Sequence, residues 1–327
     1  MRIKQFLIVL FLVILSALFF HSCKKGGNKK KKIVYINSYH RGHPSSDEIM
    51  DSFIGSFALD SFDITSFYMD TKRNPSLDYI ENKAAQLYDS ILVTKPDILV
   101  VSDDNAVKYL VKPYLQDLDF PIVFCGVNWS DREYNLPASK VTGMLEILPL
   151  ADLLITMRPY YPSMQKLLVL SENTTTSQKE KQLLDTLFSR VGVSASNELV
   201  NNFDEWKSIF KEANQSYDII YIPTHGAIKG WDHDEAVRFI DQHIKVPIVT
   251  CEDFMMPYVV FGMTKVAREQ GIWAAVTSKK ILKGGSPADF PVTRNQMSTI
   301  WLNSRLAEKI DFQPDTVLLS KARIVSD

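Results

Sequence analysis

Paired carboxylates are the side chains of this sequence with the clearest chemical potential. Asp103-Asp104 and Glu252-Asp253 each follow an apolar run. Facing one another across a crevice, two carboxylates can act as general acid and base on a glycoside. They can equally recognise an amine or a guanidinium. His40 and His43 lie three residues apart with Asp47 nearby, but the spacing specifies no third ligand of a metal site. A loop histidine with a backbone or ligand hydrogen bond is the simpler reading, so no metal and no cofactor is expected. His225 precedes Trp231-Asp232-His233-Asp234, where acidic residues suit the start of a helix. The segment 37–42 has a single glycine, which excludes a phosphate-cradling loop or a dinucleotide fingerprint. A Gly-x-Ser-x-Gly elbow is also lacking. With no nucleophile, metal or cofactor motif beside the carboxylates, the sequence describes a binding protein rather than an enzyme. Hydrolysis by the crevice carboxylates is the weaker alternative.

The elements that position these residues alternate in type. Short apolar, β-branched runs at 33–36, 64–68, 98–101 and 121–124 are separated by helical patterns at 47–59, 77–93 and 105–115. The rhythm restarts with apolar runs at 166–170, 219–222 and 247–250, between helical stretches at 151–157, 178–191, 206–213 and 234–243. Such alternation predicts βαβ units and parallel sheets. A chain of 327 residues also exceeds what one hydrophobic core usually holds. Two similar lobes follow. Further on, a helix over 272–282 ends at Lys283-Gly284-Gly285, a Pro-bounded irregular stretch occupies 286–291, and a last helix covers 303–310.

The first 32 residues read as an address and a leash. Arg2 and Lys4 precede the apolar stretch Phe6 to Phe20, and His21-Ser22-Cys23 follows. That is the layout of a secretory signal, with Cys23 placed as the lipidated first residue of a bacterial lipoprotein; Phe20 and His21 depart from that motif, and a plain signal or an uncleaved anchor is the alternative. Residues 24–32 hold six lysines among glycine and asparagine, a flexible tether suited to an anionic membrane surface. Net charge is −1, so no overall field favours nucleic acid. Cys23, Cys125 and Cys251 form no CxxC pair, which argues against zinc or a redox dithiol. Cys125 and Cys251 each end an apolar run, the setting of buried free thiols. A bond between them would need Cα atoms within about 7 Å.

Ligands of open parallel α/β sheets bind beyond the carboxyl ends of the strands. In the first half those ends carry Ser38, Tyr39 and His40, then Asp103 and Asn105, then Asn128 and Trp129. In the second half they carry Thr174 and Thr175, then His225, then Glu252. These residues are the expected ligand contacts. The mixture of polar groups and aromatic walls suits a small polar or amphipathic ligand, amino-acid-like in character. Asp103, Asn105 and the 171–177 stretch also suit helix caps.

Several blocks together resemble one family. They are 35–40 with Ser46-Asp47-Glu48, then 102–106, 121–128, 141–144, Glu269-Gln270-Gly271 with Ala274-Ala275, and 281–284 with 287–291. In order and spacing they are similar to the ABC-transporter substrate-binding protein family with the type I periplasmic-binding-protein fold. The resemblance implies two Rossmann-like lobes joined by three crossovers and a hinge. It assigns 33–142 plus about 262–285 to the N-terminal lobe, and 143–261 plus about 286–327 to the C-terminal lobe. It also implies closure on a ligand for an ABC permease; with the leader, an exported, membrane-anchored monomer is expected. Related domains feed membrane histidine kinases or diguanylate cyclases, so a sensor role is the alternative.

Overall fold

The computed structural model describes residues 30–57 and 61–326. The leader, Cys23 and most of the tether lie outside the described residues. Two sheets organise the rest. The first contains β1 (Lys31–Asn37), β2 (Phe62–Tyr68), β3 (Ile98–Ser102), β4 (Ile122–Asn128) and β5 (Val141–Glu146), with the two-residue β11 (Thr293–Arg294) at its edge beside β5. Every pairing in it is parallel. The helices that follow its strands are α1 (Pro44–Gly55), α2 (Leu77–Thr94) and α3 (residues 104–114, with a π-helical turn at Val107–Val111).

The unbroken apolar runs of these strands follow from burial on both faces. Side chains alternate along a strand. Val34, Ile36, Leu99, Val101, Ile122 and Phe124 therefore pack in one core, against α2 and α3. Ile33, Tyr35, Ile98, Val100, Val123 and Cys125 pack in another. That second core is roofed by α1 and by α8 (Ala267–Leu282), a helix from far along the chain.

The other sheet contains β6 (Lys166–Glu172), β7 (Ser194–Val200), β8 (Ile219–Tyr221), β9 (Ile248–Thr250), β10 (Phe261–Lys265), β12 (Ser298–Asn303) and β13 (Ala322–Val325), in the order 13-12-10-9-8-6-7. It is parallel except for the antiparallel β10–β12 pair. The helices beside it are α4 (Leu150–Met157), α5 (Thr175–Arg190), α6 (Phe203–Ser216), α7 (His233–His243), α9 (Ser304–Lys309) and α10 (Thr316–Lys321). Trp206 is fully buried at its centre, stacked on Phe210 with ring centroids 4.8 Å apart and met edge-on by Trp231 at 5.1 Å. Asp232 caps α7 by accepting a hydrogen bond from the Glu235 backbone N–H, as its acidic surroundings predicted.

The chain passes between sheets three times: after Glu146, after Lys265, and between Arg294 and Ser298. Three expected boundaries shift as a result, the first from 142 to 146, since β5 pairs with β4 as far as Glu146. The run 261–265 pairs with β9 and β12 in the second sheet, so only α8 of the 262–285 segment goes back to the first. Residues 293–294 pair with β5, so the return to the second sheet comes after them. The sequence patterns predict none of β7, β12 and β13. β7 is a half-exposed edge strand of polar alternation, and β12 mixes polar and aromatic residues. Cys125 and Cys251 are buried free thiols in the cores of different lobes. Burial pushes both thiols up, away from reactivity.

α8 reaches α1 through Gly271. A Cβ there would lie 2.0 Å from the Ile49 carbonyl oxygen and 2.9 Å from the Phe53 nitrogen, both backbone atoms of α1. At Gly262 the intruding Cβ would meet the Met256 sulfur at 2.5 Å, the end region of a flexible side chain. Gly271→Ala should therefore cost about 3 kcal/mol, at the upper end of overpacking, and Gly262→Ala clearly less. Denaturant unfolding of the two variants checks this, and equal losses would contradict the backbone contact as the cause.

Candidate functional site

The carboxyl ends of the first sheet are tied together by buried hydrogen bonds. Asn37 Oδ1 accepts from the Tyr39 N–H and the Ser46 hydroxyl, each at 2.8 Å. The Ser38 hydroxyl donates to the Ser102 carbonyl at 2.6 Å and accepts from the Ala106 N–H at 2.9 Å. Asn105 Nδ2 donates to Thr71 Oγ1, which donates to the Ser38 carbonyl, both at 2.8 Å. The loops after β1, β2 and β3 are thereby one unit. Ser38, an expected contact, is wholly buried within it, and its hydroxyl ties the loops together. Asn128 is likewise engaged, with Nδ2 donating to Asp104 Oδ2 at 2.7 Å.

This unit presents Tyr39, His40, His43 and Asp103. The rings of Tyr39 and His43 lie 4.8 Å apart, and Lys72 Nζ sits 5.1 Å from the Tyr39 centroid. His40 Nδ1 stands 3.5 Å from Asp70 Oδ1. Burial, then Lys72 and His40, hold His43 below the usual imidazole range. Asp103 adopts φ +68°, a strained conformation for a residue with a side chain, and is 7% exposed. Its N–H is held by the Cys125 carbonyl at 2.9 Å. Burial, with Glu146 and Asp104 nearby, raises its carboxyl well above the ordinary range.

Two residues absent from the expected set join the lobes here. Glu146 ends β5 of the first sheet and Lys265 ends β10 of the second, and their side chains form an ion pair. Burial works against the Lys265 ammonium, but Glu146, Glu252 and Asp103 together raise its pKa above the ordinary lysine value. Burial raises Glu252 and Glu180 as well, with Lys265 opposing in both. The structure thus brings Asp103 and Glu252, two of the expected contacts, around a lysine that had not been singled out. The signal was present in the sequence. Glu146 and Lys265 follow Val141–Leu145 and Phe261–Thr264, and both runs end as the other strands do.

On the second lobe, His225 stacks flat on Trp231 at 4.6 Å, and Tyr258 meets both rings edge-on. His233 Nδ1 lies 2.7 Å from the Tyr258 hydroxyl. Phe254, 52% exposed, stands edge-on to His225 at 6.2 Å. Thr174 is an N-cap, accepting from the Ser177 N–H at 3.1 Å, and Thr175 is the first residue of α5. Trp129 adopts φ +60° and packs against the core of the second lobe, although its loop belongs to the first. Among the described residues no group of three or more His, Cys, Asp or Glu has metal-binding geometry, and no helix is long and apolar enough to cross a membrane.

Comparison with known proteins agrees with this architecture. Residues 41–325 match the family model described as ABC transporter substrate binding protein. A search of the curated proteins found no match. Among solved structures, a ligand-free, open substrate-binding protein with adhesive properties from Clostridium difficile is 16% identical with TM-score 0.68, covering 90% of this chain and 99% of that one. An ABC domain from Streptococcus pneumoniae in complex with L-Trp is 17% identical with TM-score 0.59, covering 91% and 100%. The leucine-binding protein LivK from Thermotoga maritima is 12% identical with TM-score 0.52, covering 86% and 87%. With two mainly parallel sheets, three interlobe crossings and a family match over nearly the whole folded chain, this protein belongs to the ABC transporter substrate-binding protein family and has the type I periplasmic-binding fold.

Proposed function

We propose that the protein captures an amino acid, or a related amine-bearing molecule, between its lobes and delivers it to an ABC permease. It does so as an exported monomer held to the membrane through Cys23. The observation that carries the reading is the convergence of Asp103, Glu146 and Glu252 on Lys265. A zwitterion matches that set. Its ammonium would replace the lysine as partner of the carboxylates, and its carboxylate would take Lys265. Tyr39, Phe254 and the His225–Trp231 stack offer aromatic surface for an apolar side chain. His40 supplies a further polar group at the rim. The L-Trp held by the similar Streptococcus pneumoniae domain is consistent with this class of ligand. Groups from both lobes would favour the closed state once ligand is present. The family is one of solute binding, and no chemistry on the ligand is needed for this role.

Three outcomes are expected. In a thermal-shift panel, an α-amino acid at about 100 times its Kd should add about 2.7 kcal/mol of stability. Asp103→Asn and Lys265→Met should each remove that shift. A panel in which only uncharged sugars stabilise the protein, unaffected by Lys265→Met, would overturn the reading.

The second outcome concerns pH. Asp103 and Glu252 have raised carboxyl pKa values, so they hold protons to higher pH than ordinary carboxylates. A cationic group binds their ionised forms and must displace those protons. Affinity should therefore rise with pH across the raised range, by up to about tenfold per pH unit for each proton released. Calorimetry in buffers of different ionisation enthalpy checks the proton release, and Glu252→Gln should reduce it. Third, Cys23→Ser should shift the protein from the membrane fraction to the soluble fraction when expressed in a bacterium. Undiminished membrane association would remove the lipid anchor from the reading.

A further inference from the structure

A cavity lies just beyond the ends of β4 and β5, where the loop after β4 runs along α5. Its volume is about 700 Å³, the size of a small-molecule site. The first lobe contributes Trp129, Arg132, Val292 and Arg294 to its walls, and the second lobe contributes Leu187 and Arg190 from α5. Its charge is opposite to that of the central cleft. Three guanidiniums line it against the single carboxylate of Asp131. Among the described residues, none of those three guanidiniums has an ion-pair or hydrogen-bond partner. Val292 at the rim is 37% exposed, an apolar surface left open beside the charges.

We propose that this groove is a second binding site, for a small amphipathic anion. Guanidiniums bind carboxylate, sulfonate and phosphate oxygens in planar, bidentate fashion. The apolar wall formed by Trp129, Leu187 and Val292 accepts an aromatic or short aliphatic body. An occupant touches both lobes, because Arg132 and Arg294 move with the first sheet and Arg190 with the second. It therefore biases the hinge toward the spacing seen here, and so acts on capture in the central cleft without entering it.

Phenyl phosphate is a suitable probe, with benzyl alcohol and inorganic phosphate as its uncharged and non-aromatic counterparts. Calorimetric titration of the full chain in non-ionic detergent should show saturable binding of phenyl phosphate. The double variant Arg190→Ser/Arg294→Ser should weaken it at least about tenfold, equivalent to about 1.4 kcal/mol. Arg238→Ser, which removes an exposed arginine from α7, should leave the affinity unchanged. Unaltered melting of the double variant keeps the comparison one of binding rather than folding. Absence of saturable binding, equal affinity in the double variant, or equal affinity for inorganic phosphate or benzyl alcohol would overturn the proposal. A double variant that melts early is replaced by Arg132→Lys, which keeps the charge and removes the fork. It should weaken phenyl phosphate several-fold, and unchanged affinity there counts against the site.

Discussion

A parallel sheet whose strands are apolar on both sides must be covered on both sides, and this constraint shapes the whole molecule. The first sheet receives α2 and α3 on one face from its own sequential units. Its other face carries α1 but needs one more helix, and α8 supplies it from beyond the second sheet. The chain must therefore cross between lobes, return, and cross again. Gly271 marks how closely the returning helix packs, since only a hydrogen fits between it and the α1 backbone.

The crossings place the site. Glu146 is the last residue of β5 before the first crossing, and Lys265 is the last residue of β10 before the second. Their ion pair therefore spans the two lobes at the root of the hinge, in a partly buried setting where charge interactions are stronger than in water. Asp103 and Glu252 are added from neighbouring strand tips. Burial disfavours the ionised forms of Asp103 and Glu252, and the Lys265 ammonium opposes that effect. The groove beside α5 has the opposite electrostatics, with unpaired guanidiniums over an apolar wall. One hinge thus lies between an acidic surface and a basic one.

Much of the fold was legible because both lobes follow a period that sequence carries well. Alternation of apolar runs with helical patterns located seven strands, six of them closely enough to name their tips. Asp103 and Glu252 are named by that rule alone, and both act on the Lys265 ammonium. Ser38, Asn128 and Thr174 were found by it too, but their side chains serve the loops themselves, through bonds to Ser102, Asp104 and Ser177. A polar residue at a strand tip has both choices, and local sequence does not separate them. Glu146 and Lys265 went unnamed because their strands read as connecting and apolar segments. β7 was hidden by its edge position, where one face is wet and few apolar residues are required.

The sequence by itself determined the α/β class, the doubling of the unit, the strand tips and the absence of familiar catalytic motifs. These are properties of periodicity and composition, which act over neighbouring residues. Only the tertiary structure decided which carboxylates meet a cation, which polar groups are consumed internally, and that Trp129 reaches into the opposite lobe. Those outcomes depend on contacts between residues more than a hundred positions apart, such as Glu146 with Lys265 and Gly126 with Gln270. Long-range pairing is fixed by the geometry of covering two sheets at once, and no local pattern encodes it.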